Sequence, residues 1–265
     1  MKKYIFLLFI FVIWKNFAQK NSKGIVEYDN IINNSNGVSF ASPYTLYFNK
    51  AITLYTKVGE VAEIGNEADQ SAIGSDGSEI KVEKNIIKSS SPPPYYYTNT
   101  NTNELIFRES HVQKLYVIKD SIEIIPWKLH SDTKKIGEYN CQKATTQFRG
   151  RNYTAWFTTE IPVSHGPWKL RGLPGLIIEA YNESGKYEFR ATTINLNPNI
   201  DDVYKKLIKP DITKIQGMQV YINALKSKHE DIMSSILARL PKGAKLLTDC
   251  EFCPKPEDRS IEIYK

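Results

Sequence analysis

The run Gly166-Pro-Trp-Lys-Leu-Arg-Gly-Leu-Pro-Gly-Leu-Ile-Ile178 constrains this chain more than any other stretch. Gly and Pro punctuate it, and it runs straight into an apolar, β-rich segment, Leu176–Ala180. Pro174-Gly175 suits the centre of a type II turn, in which proline presets the first φ and glycine takes the positive second one. Leu173 and Leu176 flank that turn and need burial. The spacing therefore predicts a rigid turn that fixes where one strand enters a sheet, with Gly172, Leu173, Pro174, Gly175, Leu176 and Ile177 as a structural motif.

Strand signals dominate on both sides of it. Gly24–Ile32 reads as a first strand, and Tyr44–Phe48 with Ala51–Lys57 as a hairpin around Asn49-Lys50. Glu104–Glu109, Val112–Lys119 and Ser121–Trp127 read as short strands. Cys141–Phe148 pairs with Asn152–Thr158 across Arg149-Gly150-Arg151, and Leu176–Tyr181 with Tyr187–Leu196 across Asn182–Gly185. No βαβ alternation appears, so the sheet is expected to be antiparallel. The 16 tyrosines suit such a surface, since the ring packs across strands while the hydroxyl stays wet.

Two stretches read as loops. Residues 59–80 carry six carboxylates without a Lys or Arg up to Glu79, yet lack the alternation of an EF-hand, so a solvated loop is expected. Residues 89–103 combine three serines, three prolines and three tyrosines, which predicts an extended linker or hairpin tip. One long helix follows. Thr213 and Gln216 form a capping box, and Ile215, Met218, Ile222, Leu225, Ile232, Ile236 and Leu240 mark an apolar stripe that Pro241 and Gly243 end. The expected fold is α+β and mainly β: an antiparallel curved sheet with one long C-terminal helix packed on it. A last strand over Ser260–Tyr264 is expected in the tail.

The N-terminus has the form of a secretory signal. Lys2 and Lys3 precede the unbroken apolar run Tyr4–Trp14, and Phe17-Ala18-Gln19 offers a cleavage point. Eleven residues rise only ~16 Å, short of a ~30 Å hydrocarbon core. The expected organisation is a signal over 1–19, one β-rich domain over 20–243 and a tail over 244–265, with no membrane span in the mature chain. Loss of Lys2, Lys3 and Lys15 takes the formal charge from +6 to +3, a solubility statement rather than a nucleic-acid signature.

In order along the chain stand Cys141-Gln-Lys-Ala144, Ala155-Trp-Phe157, Ile161-Pro162, Gly166-Pro-Trp168 and Gly172–Ile177. In this order and spacing they resemble the signature of the GLPGLI family, exported envelope proteins of unassigned activity. The resemblance implies a periplasmic or outer-membrane-associated accessory whose partner is an envelope protein, such as an outer-membrane receptor of the TonB-dependent kind. The hairpins are also similar, at fold level, to the open half-barrels of lipoprotein carriers, which shelter acyl chains. A lipid or other hydrophobic ligand is thus one expectation, with Trp156, Phe157, Trp168, Leu170, Arg171 and Leu173 at its site.

Catalytic chemistry finds little support. Ser164-His165 lacks a nucleophile elbow, and the motif at His229 has Met233 where a zinc peptidase needs its second histidine. No phosphate loop or dinucleotide fingerprint calls for a cofactor. Cys250-Glu-Phe-Cys253 lies in the tail. Pairing of Cys250 with Cys253 and pairing of either with Cys141 are both open, and a metal held with a histidine, serving a hydrolase, is the alternative. Arg149, Arg151, Lys169 and Arg171 cluster around the motif, either as a positive mouth or as outward-facing strand residues.

Overall fold

The computed structural model describes residues 23–34, 37, 39–58, 71–73, 79–81, 92–111, 114–239 and 260–264. The signal segment 1–19 and Cys250 and Cys253 lie outside them, as do most of the 59–80 loop and Leu240 with the helix-ending Pro241 and Gly243.

Thirteen strands run in chain order: β1 Gly24–Asn33, β2 Ser39–Phe48, β3 Ile52–Lys57, β4 Ser71–Ile73, β5 Glu79–Lys81, β6 Tyr95–Asn99, β7 Glu104–His111, β8 Lys114–Ser121, β9 Lys128–Ile136, β10 Tyr139–Phe148, β11 Arg151–Thr158, β12 Leu176–Asn182 and β13 Tyr187–Asn195. Among the described residues two helices follow, α1 Ile200–Lys206 and α2 Met218–Arg239. Eleven strands form one open antiparallel sheet in the order β8-β7-β6-β3-β2-β1-β13-β12-β11-β10-β9, and β4 pairs with β5 separately. This is the mainly-β antiparallel sheet with a helix upon it that the alternation predicts.

Local chemistry explains much of the pattern. Arg149 (φ 49°) and Gly150 (φ 78°) turn β10 into β11, the two positive φ values of a tight hairpin. Strand period sends Tyr96, Leu105 and Phe107 into the main core, while Tyr95, Tyr97 and Ile106 pack on the opposite face with Ile52 and Leu54. The β9 edge carries Lys128, Lys134 and Lys135, which discourage pairing with another chain. The β8 edge is covered by Gln216, whose N–H donates to Val117 O at 2.8 Å.

Several expectations are corrected. The Pro/Tyr stretch is not all linker: Tyr95–Asn99 is an interior strand between β3 and β7, because its three tyrosines have apolar surface to cover on both faces. Ser121–Trp127 stops at Ser121; Pro126 offers no N–H, and Thr146 Oγ1 donates to its carbonyl instead. Thr213 and Gln216 do not cap α2, since Gln216 is drawn to β8 and the helix begins at Met218. The buried face of α2 is led by Tyr221, 0% exposed, with Met218 and Leu225 beside it, while Ile215 is exposed before the helix starts. Helix α1, capped by Asn199, was not expected. Ser260–Tyr264 is not a strand.

The signature turn is also built differently. Positive φ falls on Trp168 (55°) and Gly172 (94°), not on Gly175. Gly175 is needed for proximity: a Cβ there would sit 2.5 Å from the carbonyl carbon of Thr158 and 3.0 Å from Thr159 N. The loop is pinned by Leu176 N to Ile161 O (3.0 Å), Ile177 N to His165 O (3.1 Å) and Gly172 N to Ser164 O (3.2 Å). Tyr28, fully buried on β1, donates its hydroxyl to Ile177 O at 2.6 Å. The motif locks β12 against its neighbours, as the sequence predicts, by close packing rather than by a type II φ.

Candidate functional site

Strand β7 carries Glu109 and His111, which share a face because they lie two residues apart. Glu109 is buried and accepts hydrogen bonds from Tyr96 of β6 and, at 2.8 Å, from Tyr221 of α2. His111 Nε2 lies 3.1 Å from Glu109 Oε2, an ion-pair distance without the alignment of a hydrogen bond. Burial alone would raise the Glu109 carboxyl. His111, the Lys169 ammonium and the Tyr96 hydroxyl outweigh that and hold it well below the usual carboxylate range. Glu109 is a buried, ionised acceptor.

This group stands at the wall of a cleft of about 520 Å³. Tyr44, Tyr96, Trp168, Tyr187 and Phe189 supply aromatic surface, and Ser260 and Ile261 close one side. Of the wall's ring nitrogens, Trp168 Nε1 is buried without a hydrogen-bond partner, and His111 Nε2 has its ion-pair contact with Glu109. Concave, mostly apolar walls with a few convergent polar groups are what a small-molecule site requires.

The residues expected at the ligand site divide. Trp168 lines the cleft. Phe157, Leu170 and Leu173 are core residues, at most 1% exposed. Trp156 takes the other face from Phe157 by strand alternation and lies under the Lys134 ammonium, 4.5 Å from its centroid. Leu170 and Arg171 border, with Trp168, a second void of about 20 Å³, room for one water and no more. Burial lowers the Arg171 guanidinium's pKa. The six therefore do not form one site. Glu109, His111 and Tyr96 escaped the sequence reading, although Glu-x-His on a strand was the signal that brings two such groups to one face.

The basic cluster is neither an open mouth nor outward-facing. The side chains of Arg149, Arg151 and Lys169 are buried and each reaches Ser260–Tyr264, while Arg149 is ion-paired with Asp120 (2.9 Å) and Glu123 (2.7 Å). Cys141 is a free, buried thiol, which goes against the second of the two pairings left open, the one that joins it to the tail. Burial pushes it up to about 11. His165 Nε2 meets Asn49 O at 2.9 Å, and burial lowers it to about 4. Among the described residues no group of three or more His, Cys, Asp or Glu is placed to hold a metal, and no helix is long and apolar enough to cross a membrane.

The fold and cleft define a mainly-β open-sheet protein with a concave site among the described residues. Residues 148–179, which hold the signature loop, match the model of a family described as a protein of unknown function (Porph_ging). No curated protein matches the chain. Among solved structures, PNGF-II in space group C2 is 19% identical with a TM-score of 0.50, covering 76% of this chain and 32% of its own. PNGF-II in space group P21 gives 18%, 0.50, 77% and 33%. The chain thus spans about a third of the length of these structures, and the likeness is one of fold.

Proposed function

We propose that this chain is an exported, non-enzymatic accessory protein of the cell envelope that holds a compact amphipathic ligand in the Glu109 cleft. The carrying observation is the pairing of aromatic walls with Glu109, held by His111 Nε2 at 3.1 Å, and with one unpartnered ring nitrogen, Trp168 Nε1. A buried donor left unpaired costs about 1–3 kcal/mol. A ligand with an apolar face and acceptor oxygens relieves that cost while its own donors find Glu109. Export is supported by Lys2-Lys3 and Tyr4–Trp14. The envelope role, with an outer-membrane receptor as partner, is supported by the GLPGLI resemblance, which the matched segment 148–179 overlaps.

The test uses octyl glucoside and decanoate, both below their micelle concentrations, as probes that displace a naphthalene-sulfonate dye. Saturable displacement by octyl glucoside, lost when Ser42→Trp fills the half-exposed cleft wall on β2, is expected. Preference for decanoate, which has acceptor oxygens but no donor to offer Glu109, would overturn the reading that the ligand donates to Glu109. Displacement insensitive to Ser42→Trp would remove the cleft as the site.

A further inference from the structure

Three buried cations from two separate segments, the β10–β11 turn and the signature loop, converge on five residues, Ser260-Ile-Glu-Ile-Tyr264. Arg151 donates its Nε (3.1 Å) and Nη2 to Ser260 O, and Tyr153 Oη donates to Ile261 O at 3.3 Å. Lys169 Nζ pairs with Glu262, the two side chains 1% and 0% exposed. Arg149 Nη1 donates to Tyr264 Oη, and Arg149 O accepts from Ile263 N at 2.9 Å. Gly150 permits that approach, since a Cβ there would lie 2.7 Å from the Ile263 Cβ. Both main-chain carbonyls at one end are read, and then the alternate side chains 262 and 264. Main-chain bonds combined with pockets for alternate side chains are how receptors hold extended peptides.

The segment differs from a core strand in how it is held. It belongs to neither sheet, and among the described residues Ile263 N to Arg149 O is the one backbone–backbone bond that ties it down. Its departure would not strand the cation beneath it. Lys169 Nζ lies 3.7 Å from the Phe107 centroid, within 6 Å of the Trp168 and Tyr221 rings, and close enough to Glu109 to lower that carboxyl's pKa. Aromatic faces and a second carboxylate remain as its partners. The cradle is complete without its occupant.

We propose that Arg149, Arg151, Tyr153 and Lys169 form a peptide-binding cradle for an extended apolar-Glu-apolar-Tyr sequence, and that Ser260–Tyr264 is its displaceable occupant in cis. A partner protein bearing the same pattern takes the place of the segment. Because Ser260 and Ile261 wall the cleft, that exchange also replaces one of its walls. The cradle stands whether or not the cleft binds a small ligand.

The experiment uses the full chain with Glu262→Lys, which sets an ammonium against Lys169 and expels the segment. A labelled peptide of residues 260–265 is then titrated by fluorescence anisotropy. The variant is expected to bind it at least about tenfold more tightly than the parent, whose tethered segment competes at an effective concentration in the millimolar range. Replacing the peptide's glutamate by glutamine should weaken binding about tenfold or more. A folded variant that binds no peptide, or binds both peptides alike, overturns the proposal. Hydrogen exchange on the parent chain decides the matter if Glu262→Lys does not fold. Amides of 261–264 that exchange before those of β7 and β11 support a displaceable segment; exchange of all three together at global unfolding overturns it.

Discussion

Replacing Gly175 by alanine tests how the signature loop is built. The added Cβ would lie 2.5 Å from the Thr158 carbonyl carbon and 3.0 Å from Thr159 N, both backbone, so no side chain can swing away to relieve it. One strand end must withdraw by roughly an ångström, and overpacking of this kind costs about 1–3 kcal/mol. The displaced segment carries the Leu176 N to Ile161 O bond, and Leu176 and Ile177 are wholly buried, which adds about 1 kcal/mol for a weakened hydrogen bond. A total near 3 kcal/mol lowers the melting temperature by roughly 6–12 °C for a domain of this size. Gly172→Ala is the control. It keeps φ at 94° but has open space, with Trp127 no nearer than 3.9 Å, so only backbone strain of about 1 kcal/mol is expected. Thermal and urea melts of both variants give the answer. If Gly172→Ala proves the more damaging, conformation rather than proximity governs the loop and the reasoning fails.

Lys169→Met removes the cation shared by Glu109 and Glu262 and is expected to cost about 3–5 kcal/mol in urea unfolding. Glu262→Gln leaves Lys169 its rings and Glu109 and should cost less; equal losses would contradict the cage. His165 titrates near 4 when folded against ~6.5 unfolded, so the unfolded chain takes up a proton that the folded chain refuses as pH falls between those values. Stability is therefore full above about 6.5 and falls by about 3 kcal/mol toward pH 4, a slope that His165→Gln should flatten in denaturation curves run across that range. Cys141, buried and raised to about 11, should resist iodoacetamide at pH 8 in the native protein and react once urea is added, as read by peptide mapping.

The sheet was legible because strand signals are local. Alternation at Tyr44–Phe48 and the Arg149-Gly150 turn depend on neighbours within a few residues, and β2–β3, β10–β11 and β12–β13 are where these signals put them. Tyr95–Asn99 was misread because proline and low complexity look like a linker, while β3 and β7 on either side supply the burial that makes it a strand. The site was less legible. The strand reading ended at Glu109 and so separated it from His111, and nothing local joins it to Tyr221, 112 residues on, or shows that Lys169 faces inward.

The sequence alone determined the antiparallel, mainly-β class, the hairpins and the place of a rigid turn before Leu176, since each follows from side-chain period and from what Gly and Pro allow. Tertiary structure decided the rest. It set the strand order, brought Ser260–Tyr264 onto Arg149, Arg151 and Lys169, and converted four apparent surface charges, Glu109, Lys169, Arg149 and Glu262, into a buried network. Whether a charge is buried depends on what the distant chain lays over it, and no spacing along the sequence encodes that.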